Sequence, residues 1–143
     1  MKRFGIIFFM LLFCIPQLAG AQKKKEDIEA LRVTIFTKTI GLTTAEAGKF
    51  WPLYNQYLDK KETLWKNHQE LRKTKYKNID QLNEAQTMEM IEGELEFKQK
   101  ELDLQKQLVN QLKPVLSSKK IALVFKAEED FRKELVRLLK EKN

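Results

Sequence analysis

Cysteine, histidine, glycine and proline are all scarce in this sequence. Its 143 residues include one Cys, one His, five Gly and three Pro. One cysteine cannot close a disulfide within the chain, nor supply a Cys-rich metal module. So few glycines and prolines argue against a β protein built on many tight turns. Glycine-rich phosphate loops are absent. Long apolar runs are also missing: the longest, Phe4 to Ile15, falls short of the roughly 18–20 residues that span a bilayer. What is abundant is charge. Lys and Arg number 27 against 20 Asp and Glu, a formal charge of +7. Such an excess raises nucleic acid, an anionic membrane or an acidic protein as partners, and position must decide among them.

The N-terminus reads as an export signal. Lys2 and Arg3 form a positive start, FGIIFFMLLFCI an apolar middle, and Ala19-Gly20-Ala21 a small-residue site with cleavage after Ala21. Phe13 before Cys14 lacks the small side chain of a lipoprotein site. Residues 1–21 are therefore expected to be removed, leaving 22–143 as one domain without cysteine. The charge drops to +5 with Lys2 and Arg3 gone. Export also argues against nucleic acid as a partner.

The remainder reads as four helices. Ile28, Leu31, Ile35 and Phe36 give one apolar face over residues 26–40, and Gly41 suits a left-handed stop. Lys23, Lys24 and Lys25 read as a solvated tail before it. Thr43 with Glu46 forms a capping box opening a helix to about Lys77. Its stripe is Ala47, Phe50, Trp51, Tyr54, Tyr57, Leu58, Leu64, Trp65, His68 and Leu71, with a bend expected ahead of Pro52. Asn83 with Gln86 repeats the start signal for a third helix to about Leu112. Met88, Ile91, Leu95, Leu102, Val109 and Leu112 give it a largely seven-residue stripe. Gly93 marks a weak point or a close approach. Pro114 ends this region. Ser117 then caps a fourth helix to about Lys140, with Ile121, Val124, Phe125, Phe131, Leu135, Leu138 and Leu139 on its apolar face.

The short connection between helices two and three predicts an antiparallel hairpin. Residues 58–77 carry seven basic and three acidic side chains, and residues 84–103 two basic and seven acidic. The run from Arg72 to Lys77 therefore reads as a paired or solvated face. Chemistry-bearing constellations are few. His68 lies alone on an apolar stripe, and no Glu-x-x-His pair accompanies Glu89, Glu92, Glu96 and Asp103. Ser117 and Ser118 are explained by capping. The reading is non-enzymatic, without metal or other cofactor. Aromatic side chains Trp51, Tyr54 and Trp65, and basic residues Arg132, Lys133 and Arg137, are the candidate surface for binding protein clients.

Two helix starts share one pattern. Leu42-Thr43-Thr44-Ala45-Glu46 and Leu116-Ser117-Ser118-Lys119-Lys120 both resemble the L-T-x-x-Q motif of the Spy/CpxP family of periplasmic helical proteins. The longer segments LTTAEAGKFWPLYNQY and LKPVLSSKKIALVFKAEEDF resemble forms seen in envelope proteins of the Bacteroidetes. Glu46 and Lys120 stand where the motif has Gln, and Ser117 where it has Thr. The resemblance implies an all-α, curved, antiparallel dimer in the periplasm. It also implies an ATP-independent chaperone holding unfolded envelope proteins, or an accessory restraining a membrane-bound stress sensor. A regulator of an extracytoplasmic sigma factor pathway, metal-responsive in some relatives, is the alternative it carries. Leu42, Thr43, Glu46, Leu116, Ser117 and Lys120 are the motif residues.

Overall fold

A computed structural model describes residues 16–141 of the chain. They form α1 (Pro16–Ile40), α2 (Thr44–Lys75), a 3₁₀ turn (Tyr76–Gln81), α3 (Glu84–Leu112) and α4 (Ser118–Glu141). No strand occurs among the described residues, so the fold is all-α. Of the predicted signal segment, residues 1–15 lie outside the described residues and residues 16–21 belong to α1.

Local chemistry explains the boundaries. Gly41 takes φ = 66°, the left-handed stop that glycine adopts without a Cβ penalty. At Thr43, the backbone N–H donates to Glu46 Oε2 at 2.8 Å and the Glu46 N–H donates to Thr43 Oγ1 at 3.2 Å. Asn83 and Gln86 form the same reciprocal box at 2.9 and 3.0 Å. Each box satisfies helix-start N–H groups that have no partner within the helix.

Two expectations need correction, at α1 and α3. The first helix already covers residues 16–25 ahead of Glu26, so Lys23, Lys24 and Lys25 are exposed helical residues and not a tail. Gln, Leu, Ala and Lys, which fill this stretch, all propagate helix well. The second helix gives way to 3₁₀ geometry after Lys75, near its expected end, and includes Pro52. In α3 the buried residues are Met90, Leu108 and Leu112, whereas Met88, Ile91, Leu95 and Leu102 are exposed. Of the expected stripe on that helix, only Leu112 is buried.

The chain divides into two compact units. One combines α1 with α4 from Val124 onward. Its buried side chains include Phe36, Ile40, Val124 and Ala127, and the Arg32 guanidinium lies 4.8 Å from the centre of the Phe131 ring. The other unit spans Gly41–Leu123. Its core contains Phe50, Tyr54, Tyr57, Leu108, Leu112, Leu116 and Ile121. Successive α2 aromatics touch one another: Phe50 stacks on Tyr54 at 5.3 Å, and Tyr54 meets Tyr57 at 5.8 Å.

Candidate functional site

The two motif copies meet within the Gly41–Leu123 unit. Ser117 Oγ accepts from the Lys120 N–H at 3.3 Å, so its hydroxyl caps α4 as Thr43 caps α2. The Lys120 ammonium has donors only, so it cannot accept the cap N–H as the Gln oxygen does. Instead its ammonium donates to the Gly41 carbonyl at 2.7 Å and to Glu46 Oε2 at 2.6 Å. Glu46 and Lys120, the two departures from the motif, are thus each other's partner. One carboxylate closes the α2 cap and binds the start of α4. One ammonium binds that carboxylate and the carbonyl at the end of the α1–α2 turn. Lys120 beside it, with the Thr43 N–H, holds the Glu46 carboxyl below its usual range. Of the two motif leucines, Leu116 is buried and Leu42 half-buried.

A second polar contact joins α2 to α3. His68 is 8% exposed, its ring stacks on Phe97 at 3.8 Å, and Nε2 lies 2.9 Å from Glu94 Oε1. Arg72 Nε lies 3.8 Å from the same oxygen. Farther along, Lys60 donates to Gln107 at 3.3 Å. Neither Glu94 nor Phe97 was recognisable as a partner of His68 from α2 alone. Their 3-residue spacing on α3, in phase with Met90, is the signal that marks them. Among the described residues, no group of three or more His, Cys, Asp or Glu side chains is placed to hold a metal ion. No described helix is long and apolar enough to cross a membrane.

The candidate client-binding residues separate. Tyr54 is buried at 2%, packed between Phe50 and Tyr57, and belongs to the core. Trp51 is half-buried, edge-on to Phe50 at 5.1 Å. Trp65 is 53% exposed, and Leu71, on the same helix, is 58% exposed. In α4, Arg132 is exposed, Lys133 pairs with Glu129, and Arg137 pairs with both Glu134 and Glu141. Those carboxylates raise the proton affinity of Lys133 and Arg137, so both remain charged, but their charge is partly met within the helix. The expected pairing of α2 and α3 charges is also largely local. Lys66–Glu62, Lys73–Glu70 and Lys100–Glu96 pair within one helix, while Arg72–Glu94 crosses.

Sequence reasoning found the apolar row of α3 but missed the face that α3 turns inward. Its inward positions Met90, Glu94, Phe97, Leu104 and Leu108 run one residue out of phase with the expected stripe, about 100° around the helix. A purely apolar count cannot find that face, because Glu94 sits within it as the partner of His68. No known protein family, curated protein or solved structure matches this chain.

Proposed function

We propose that this chain is an exported, non-enzymatic Spy/CpxP-like protein that holds unfolded or partly folded proteins in the periplasm without nucleotide. The reading takes its localisation from the signal-like N-terminus and its class from the two motif copies. α2 and α3 are read as an antiparallel hairpin. In support, the later α2 position His68 pairs with the earlier α3 position Glu94, and Lys60 pairs with Gln107.

The observation that carries the client-holding role is the exposure of Trp65 and Leu71, 53% and 58%, on a helix otherwise rich in charge. Six residues apart, about 120° around α2, each offers an apolar contact to a bound segment. Lys66, Arg72 and Lys73 stand beside them. Apolar side chains gain by covering the apolar segments of an unfolded chain, and the cations favour acidic flanks. A photo-crosslinking side chain at position 65, activated in intact cells, is expected to yield many different adducts. A single dominant adduct overturns this reading in favour of a dedicated regulator that contacts one membrane-bound stress sensor.

A further inference from the structure

The charge of the α1–α4 unit is sorted along its length. Gly41 follows α1, and its carbonyl accepts from Lys120 in the first turn of α4. Earlier on α1, Arg32 lies over the Phe131 ring of α4. Moving back along α1 therefore moves forward along α4, so the two helices run antiparallel. Residues 16–25 and 132–141 lie toward the same end. The first stretch carries three Lys and no acidic residue, the second four cations and two carboxylates, together +5. The rest of the unit, residues 26–40 and 124–131, carries three cations against six carboxylates, or −3. One end of the unit is thus a basic pole. Lys23, Lys24 and Lys25 are exposed there, and no ion pair engages them among the described residues.

The pole carries apolar side chains as well. Arg132, Lys133, Leu139 and Lys140 stand four and three residues before Val136 and three and four after it, so all five share one face of α4. All five are exposed, Val136 and Leu139 at 45% and 46%. Lys133 shares its charge with Glu129. Phe131, Leu135 and Leu138, on the other side of the helix, are half-buried and supply its packing.

This mixture selects the occupant. An acidic polymer in solution rewards the cations alone. An anionic membrane presents phosphates at its surface and an acyl boundary just beneath them. Val136 and Leu139 gain there by leaving water, while the Lys and Arg stems extend to the phosphates.

We infer that the basic pole of the α1–α4 unit docks on an anionic lipid surface. Lys23, Lys24, Lys25, Arg132 and Lys140 meet headgroup phosphates, and Val136 and Leu139 enter the interface. Docking is peripheral and reversible, because two side chains bury little apolar area and salt screens the rest. The inference goes beyond client holding, uses neither Trp65 nor Leu71, and is read separately by vesicle binding.

Flotation of the protein recovered from cell envelopes, with vesicles of phosphatidylcholine alone or mixed with phosphatidylglycerol, tests this. At low salt the protein is expected to float with the mixed vesicles and not with phosphatidylcholine alone. Release is expected at about 1 M salt, where the screening length falls to about 3 Å. Lys23→Gln, Lys24→Gln and Lys25→Gln together are expected to weaken binding by roughly a hundredfold, at about fivefold per cation. Lys49→Gln, Lys98→Gln and Lys106→Gln remove the same charge from the other unit and are expected to weaken it far less. Val136→Ser with Leu139→Ser is expected to weaken binding with helical circular dichroism unchanged, since both positions are exposed. Absence of flotation at low salt overturns the inference. So does equal flotation with both kinds of vesicle, and so does equal loss from the two lysine triples. Binding to soluble polyglutamate as tight as to mixed vesicles, and indifferent to Val136→Ser with Leu139→Ser, overturns it in favour of an acidic protein partner.

Discussion

Glu46 and Lys120 are 74 positions apart in sequence, and each alone looks like a defect in its motif. Together they form a contact that neutral amides cannot form with the same charge assistance. Glu46→Gln and Lys120→Gln are each expected to lower the melting temperature. The double substitution is expected to cost less than the sum, because it leaves no unmatched charge; a thermal double-mutant cycle reads this coupling. The pH dependence follows from the lowered Glu46 carboxyl. A carboxyl held below its unfolded value, near 4.5, stabilises the fold above that value. The contribution is lost as pH falls through the lowered folded value. Carboxyl NMR should show Glu46 titrating below a free Glu, and Lys120→Gln should move it back upward. At His68, Glu94→Gln is expected to keep the hydrogen bond. Glu94→Leu is expected to destabilise by about 1–3 kcal/mol in chemical unfolding, by leaving a buried ring nitrogen without its partner. Thr43, Ser117 and Asn83 were legible as caps because a cap is settled within four residues. Lys120's partners were not, because only the fold brings Gly41 and Glu46 to it.

Helix starts were legible to within a residue at α2, α3 and α4, since each is written in hydroxyl, amide and carboxylate side chains. Asn83→Ala should cost about 1 kcal/mol in a denaturant titration. The register of α3 was not legible. Met88, Ile91 and Leu95 compete with Met90, Phe97, Leu104 and Leu108 for the inward direction, and the apolar arc is wide enough for two seams. Packing against α2 decides between them, with His68 drawing Glu94 inward. Of the two expectations for Gly93, a weak point or a close approach, the space around it leaves the weak point. A Cβ built there meets nothing within 4 Å, and the residue borders a small cavity of about 40 Å³ with His68 and Met90. Gly93→Ala is therefore expected to stabilise the protein by about 0.5–1 kcal/mol, seen as a raised melting temperature.

For the whole chain, the all-α class was legible from scarce glycine and proline and from four periodic segments. The charge reads differently once it is placed. Residues 22–57 sum to +2, residues 58–103 to −2 and residues 104–143 to +5. The positive excess therefore lies mainly on and before α4, where Lys133 and Arg137 already meet carboxylates. The proposed client-holding role rests instead on exposed apolar side chains of α2, Trp65 and Leu71. The central claim is that these side chains hold unfolded protein, and light scattering tests it most directly. Stoichiometric protein without nucleotide is expected to slow the aggregation of several unrelated unfolded clients, and Trp65→Ser with Leu71→Ser to lose most of that effect while remaining helical. Aggregation that proceeds equally fast with and without the wild-type protein, for every client, would contradict the account.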